Sequence, residues 1–526
     1  MNKLLSCAFA SVLSATVFAT AVRTLPEPDA DGYYAFGAPY TSSATNSYSW
    51  KSDANTPAYP VWAGMTFPDG AKLKLTGGVI IDSWPTGVTE VDCSDLTFMA
   101  ITATRAIPAG VKIVIPSGAK LCVCKGTTTV AGDDSVTWAE ETDNPIELAN
   151  DLELDGTLYW NKNTLAFSGE LSGSGSIPLD HMNYHLAFQS TVDFSGEVVS
   201  GQGGQDIVLS GSETSLGYVY LYGKANYPSY FVCNPDLGSP VEIDVFRAAG
   251  ASYESGTRTR KTTFFCIANG NVANIGVLGG SGCHFITQTA ANALQRDDIG
   301  EATVLIGNVD PRYDTSWPSG QKQMDCYFSK NMSYAITDIC REGTSSTCSG
   351  KRVTIHYEAE SGNNTNSLSI GSVPSGSRSS WMSVEVKGLA PASLPRTMTL
   401  PPNAELADGV KVSITEDDWS FDFDWTKDDP NLSRCVITGA KNLTMPATGT
   451  ISVNVTGAPS AKGVYPLFSC NVGCAALTDP EAWPVTIAGT TADSVEQNGV
   501  LYAVIRSETG ISLEAKPITG LLLIFR

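Results

Sequence analysis

Leu165-Ala-Phe-Ser-Gly-Glu-Leu-Ser-Gly-Ser-Gly-Ser-Ile-Pro-Leu179 is the stretch that decides the fold. Apolar and small polar residues alternate, and Gly169, Gly173 and Gly175 punctuate the alternation. Period-two alternation means strands, because successive side chains of an extended chain point to opposite faces. Glycines this close together mean tight corners between those strands. Short strands joined by tight corners are the pattern of a stacked solenoid, in which each coil presents strands to its neighbours.

Immediately upstream, Ile146-Glu-Leu-Ala-Asn-Asp-Leu-Glu-Leu154 alternates in the same way. The pattern predicts Ile146, Leu148, Leu152 and Leu154 inside, with Glu147, Asp151 and Glu153 in solvent. Asn150 then points inward, where an amide can pair with its equivalent one coil away. Residues 146–179, with Asn150-Asp-Leu-Glu-Leu-Asp-Gly156 leading into the stretch quoted above, resemble the autotransporter-associated β-strand repeat. That family of exported bacterial proteins is built on parallel β-helices. The resemblance is close over about 35 residues and looser over residues 60–220. It implies export, surface display and a solenoid, and it implies no catalytic residues. Complete autotransporters end in a membrane β-barrel of amphipathic strands. The last part of this chain instead carries Cys, Pro and irregular loops. The expected location is therefore secreted, cell-surface or periplasmic, without self-export through a barrel.

Composition agrees with many short strands. The chain has 526 residues, with 49 Gly and 28 Pro, and only 17% of residues are charged. A hydrophobic content of 42% is enough for a core. The net charge of −21 argues against nucleic acid as a partner, because phosphate neutralisation needs cations. It suits a soluble exported surface. Lys3, the apolar run Leu4 to Phe18 and Ala19-Thr20-Ala21 have the form of a secretory signal over residues 1–21. No later segment is apolar for long enough to be a transmembrane helix, and Leu521 to Phe525 reads as a last strand. Of 13 cysteines, Cys7 falls in the signal. Export permits disulfides, and Cys470 with Cys474, and Cys340 with Cys348, are close enough in sequence to bridge.

The predicted fold is mainly β. A right-handed parallel β-helix or related solenoid spans 61–220, after a leader or cap at 22–60. A loop-rich β region or insertion, sandwich-like, follows at 221–400, and a β unit at 401–526 closes the chain. Phe67-Pro-Asp-Gly-Ala-Lys-Leu-Lys-Leu75 is echoed by Ile115-Pro-Ser-Gly-Ala-Lys-Leu-Cys-Val123. Gly70 and Gly118 lie 48 residues apart (118 − 70), read as two coils. Thr287 to Gln295 reads as one short helix.

Candidate chemistry is sparse. There are four histidines. His181 and His185 have an i, i+4 spacing, but on a strand those positions lie roughly 13 Å apart and share no metal. Cys283-His284 invites a thiol nucleophile, yet adjacent strand residues face opposite ways. Cys122 and Cys124 share a strand face without further ligands in view. No Gly-x-Ser-x-Gly elbow is present, and Gly350-Lys351 lacks the upstream glycine of a phosphate loop. Five glycosylation sequons, at Asn331, Asn363, Asn431, Asn442 and Asn454, are what an Asn-, Ser- and Thr-rich chain makes by chance.

The strongest constellation is Glu416-Asp-Asp-Trp-Ser-Phe-Asp-Phe-Asp-Trp425. Trp419, Phe421, Phe423 and Trp425 fall on one face of a strand, as a sugar-stacking surface requires. Asp418, Asp422 and Asp424 fall on the other, where clustered carboxylates could hold calcium or perform acid–base work. The competing reading is an amphipathic strand with its aromatics in the core and its acids in water. Exposure of Trp419 and Trp425 separates the two. The function expected is an exported, non-enzymatic scaffold for adhesion, with polysaccharide or cell-surface components as partners. The alternative is a carbohydrate-binding or carbohydrate-cleaving β-helix protein.

Overall fold

In the computed structural model, residues 25–36 and most of 66–518 are described. Left out are the connecting stretches 102–106, 131–135, 141–145, 161–163, 181–183, 224–227, 251–262, 295–301, 312–322, 342–349, 358–365, 374–381 and 402–409, with a few shorter gaps. The predicted signal, Cys124, His181, Cys348, Asn331, Asn363 and Leu521 to Phe525 lie outside the described residues.

Nearly all regular structure is strand, arranged in sheets of 22 and 13 strands with a smaller four-stranded sheet near the C-terminal end. The fold is a mainly β, solenoid-like stack of parallel strands. In the first sheet one row of paired residues runs Leu152, Leu171, Val192, Thr214, Val241, Ala273, Val304, Tyr334, Leu368, Met398, Ile437, Cys470. All are in parallel register, one per coil. A second ladder runs from Ile146–Leu148 through Thr164–Phe167, His185–Phe188 and Asp206–Leu209 to Asn442–Thr444. Each early coil contributes one strand to the second sheet and two short segments to the first, as in Ile146–Leu148, Leu152–Leu154 and Thr157–Trp160.

The period-two reading holds residue by residue. Val192–Ser200 alternates buried and open positions along its length. Ile146, Leu148, Leu152 and Leu154 are buried. Like side chains then meet in the interior, because parallel register places equivalents on one another. Phe231, Phe265 and Phe285 stack with ring centroids 5.1 and 5.3 Å apart, and Phe167 stacks on Phe188 at 5.5 Å. Asn150 is buried as expected, but it pairs with no equivalent. Its amide donates to the carbonyls of Pro108 and Val111, and the next coil offers Gly169 at that corner.

The ladder does not stop at 220. What changes beyond it is the length of the connections. The chain returns to its ladder position after 19 residues at Leu171 (171 − 152) but after 32 at Ala273 (273 − 241). Longer connections dilute the alternation, so one continuous stack reads in sequence as a separate region. The echo of Gly70 and Gly118 is likewise local. Both sit in turns with φ near +80°, but Gly78, Phe98 and Lys120 are the ladder mates, so two coils here span 42 residues (120 − 78). Among the described residues of 287–295 there is no helix. Gly282–Ala290 is a strand that turns back antiparallel onto Ala293–Leu294. Its Phe285-Ile286-Thr287 run pairs with Thr263–Ala268, and that pairing outweighs the helix preference of the alanines.

At the C-terminal end the pairing reverses. Gly463–Cys470 is the last parallel strand of the first sheet, and Gly510–Pro517, Val500–Ser507 and Ser494–Gln497 add to it antiparallel. Arg506 ties this meander to the preceding loop through the carbonyls of Leu477 and Trp483 and the carboxylate of Asp493, each at 2.9 Å.

Candidate functional site

The aromatic strand is Asp418–Asp424, parallel to Thr450–Thr456. Trp419, Phe421 and Phe423 are buried to 1% exposure or less, and Trp425 is half-buried against Phe423 and Tyr465. Trp419 packs on Trp483 and Phe468. These aromatics are core, and the sugar-stacking reading of them is withdrawn. The acids face outward but do not converge. Asp418 accepts from the Thr450 hydroxyl, Asp422 from the Asn454 amide at 2.9 Å, and Asp424 from Thr426 at 2.6 Å. Successive outward residues on a strand stand about 6.6 Å apart, and each carboxylate is engaged locally. Among the described residues no group of three or more His, Cys, Asp or Glu is placed to hold a metal ion.

The other sequence candidates separate as follows. Cys470 and Cys474 are buried free thiols in contact, Cys474 donating toward Cys470, which holds the Cys470 thiol down and pushes Cys474 up. Cys340 is buried and has a positive φ, and its expected partner Cys348 lies outside the described residues. Cys283 points into the core, where burial pushes its thiol far up and keeps it protonated. His284 faces the other way. His185 pairs with Asp206 at 2.8 Å, one strand away, and that hydrogen bond raises its pKa.

Among the described residues, two outer surfaces are drawn out by their polar groups. One is a groove of about 430 Å³ at a corner of the early coils. Gly156, Gly175 and Gly196 form its floor, one per coil, because a β-carbon at any of them would strike the coil beneath. Its walls satisfy one another. Ser174 donates to Asp155 at 2.8 Å and Ser176 to Glu197 at 3.0 Å.

The second surface lies on the outer side of the second sheet, where Gln323–Tyr327, Lys351–Tyr357, Met382–Gly388 and Val410–Ile414 pair in parallel. Inward residues such as Val353, Ile355 and Val386 fix the alternation, so the residues between them must face out. One outer row is Asp325, Thr354, Glu385, Lys411; the next is Tyr327, His356, Lys387, Ser413. His356 Nε2 lies 2.8 Å from Asp325, and Gln323 donates to the same carboxylate at 2.6 Å. Burial works to raise the Asp325 pKa, but these two hydrogen bonds outweigh it and hold the carboxyl below its usual range. Glu385, only 12% exposed, accepts from Ser413 at 2.7 Å and stands 3.6 Å from Lys387 and 3.8 Å from Lys411. Arg352 donates from Nε to Thr354. Sequence reading missed this face entirely. The strands are legible as Lys351-Arg-Val-Thr-Ile-His-Tyr357 and Val384-Glu-Val-Lys-Gly388, but their mutual register is set by connections of unequal length.

An aromatic ladder runs into this face along the same outer row: Tyr230, Phe264, His284, Tyr327, His356. Ring centroids are 5.1, 5.3, 4.0 and 4.5 Å apart in turn. The rings lie on each other, so Tyr327 has both faces covered by imidazoles and offers only an edge to a ligand.

Comparison with family models, with curated proteins and with solved structures gives no match. The class that the fold defines is a parallel β-solenoid-like protein. Among the described residues no helix is long and apolar enough to cross a membrane.

Proposed function

We propose that the protein is an exported, non-enzymatic β-solenoid scaffold that carries its outer faces to a surface or matrix outside the cell. The observation that supports this most is the unbroken row from Leu152 to Cys470, one residue per coil. Each coil adds about 4.8 Å of reach, so chain length is spent on extension and outer surface. The outer row Glu153, Ser172, Asp193, Ser215, Glu242, Asn274 sets carboxylates two coils apart with hydroxyls between. That spacing avoids like charges on neighbouring strands and suits a soluble, self-repelling exterior. The signal-like residues 1–21 and the resemblance of residues 146–179 support export and display.

A second reading, a carbohydrate-cleaving enzyme, is favoured by one observation. Asp325 and Glu385 share an outer row with Thr354 between them, hence about 9.6 Å apart at the backbone. Glycoside hydrolysis uses a pair of carboxylates flanking the scissile bond, and these two share one outer face.

The test has two arms. Residues 1–30 are fused to a reporter active only outside the cytoplasm, and the purified protein is incubated with polysaccharides while reducing ends and unsaturated products are assayed. The reading expects an active reporter and no product. Product that Asp325→Asn or Glu385→Gln abolishes would replace the scaffold with the enzyme, and a silent reporter would remove export.

A further inference from the structure

Three cations of this acidic chain gather on one outer face. Arg352, Lys387 and Lys411 sit on three successive strands of the second sheet, all facing outward. Along the row of His356, Lys387 and Ser413, the neighbours toward the N-terminal side are Tyr327, His284, Phe264 and Tyr230 before the next carboxylate, Asp206. That is five strand steps, on the order of 24 Å, well beyond the screening length of about 8 Å at physiological salt. The cations are therefore electrostatically separate from the acidic early coils. Glu385 lies beneath Lys387 and Lys411 and holds both ammonium groups by charge. At 3.6 and 3.8 Å it is beyond hydrogen-bonding distance of either, so their donors are not spent on it.

We propose that this face binds an acidic polysaccharide, with Arg352, Lys387 and Lys411 meeting its carboxylates and Asp325 its hydroxyls. The mixture of groups selects the ligand class. A neutral glycan has no use for three cations, and duplex DNA, with one charge per about 1.7 Å, is repelled by Asp325 and Glu385 more strongly than a polysaccharide carrying one carboxylate per sugar. Recognition runs through hydrogen bonds and charge, because the aromatic rings on the row are stacked on each other. The inference rests on the scaffold reading for where the ligand is met, and it names the partner class of that scaffold.

The experiment is affinity electrophoresis of the purified protein through gels containing polygalacturonate, neutral dextran or duplex DNA. Lys387→Gln/Lys411→Gln and Arg352→Gln are run beside a charge control, Lys72→Gln/Lys462→Gln. The expected result is retardation by polygalacturonate alone, weakened by salt. The Lys387/Lys411 variant should lose on the order of tenfold in affinity, with melting temperature and circular dichroism unchanged, and the control should bind like wild type. If the double variant does not fold, Arg352→Gln decides alone. Absence of retardation overturns the proposal, as does equal weakening by the control or binding of DNA as strong as that of polygalacturonate. None of these touches the export or turnover assays. Conversely, cleavage of the bound polymer would retire the scaffold reading and keep the site.

Discussion

Gly196 lies so close over Gly175, one coil below, that a β-carbon at 196 would stand 2.1 Å from the Gly175 carbonyl oxygen. Gly175 stands in the same relation to Gly156. The corner glycines are thus required by coil-to-coil contact, which for Gly196 arises without a positive φ. Gly196→Ala should force the coils apart at that corner and cost about 1–3 kcal/mol, as overpacking does. The check is a urea melt against Gly110→Ala, whose added methyl meets nothing within 4 Å. Equal midpoints for the two variants would show that the corner is not tight.

Phe265 is sandwiched in the interior between Phe231 and Phe285 and is fully buried. Phe265→Ala should cost about 3–5 kcal/mol, the transfer loss plus the cavity left behind. Because a solenoid is stabilised coil by coil, the loss should appear first as local exchange. Hydrogen exchange should rise in Ser229–Cys233 and Gly282–Ala290, the two strands that flank it, before the early coils respond.

His185 has its pKa raised by its hydrogen bond to Asp206. A raised folded-state pKa contributes stability that is fully present below the unfolded value near 6.5 and is lost as pH rises through the folded value. Wild type should therefore exceed His185→Gln in melting temperature at pH 5.5 by more than it does at pH 8.5. Asp325 runs the other way, its carboxyl being held low. Its contribution is present above about pH 4 and fades as pH falls through the folded value. A pH-independent gap between Asp325→Asn and wild type from pH 7 down to pH 2.5 would contradict that assignment.

Arg506 holds two carbonyls and one carboxylate across the loop that precedes the antiparallel meander. Arg506→Met leaves the Leu477 and Trp483 carbonyls without that donor and should cost about 2–3 kcal/mol. Limited proteolysis should then cut between Ala475 and Asp493 early, with the stacked coils still protected. Cleavage spread evenly along the chain would show that the loop is not held from this residue.

The alternation in residues 146–179 was enough to read strands, inward residues and tight corners, because strand periodicity is a local property of an extended backbone. The same locality explains the misses. Trp419 and Asp418 alternate identically whether the aromatics face a core or a ligand, and only Trp483 and Phe468, brought in from later coils, decide for the core. The face of Asp325, His356, Glu385, Lys387 and Lys411 was not legible, since it exists only where four strands of different spacing come into register.

By itself, then, the sequence determined the class of structure: period-two strands, glycine corners and an acidic exterior suited to a mainly β stack. Tertiary structure alone decided how far the stack runs, which face of each strand is covered and which charges become neighbours. The physical reason is that hydrogen-bonded register is set between coils, across returns of 19 to 32 residues and more (171 − 152; 273 − 241), and no local pattern encodes that distance.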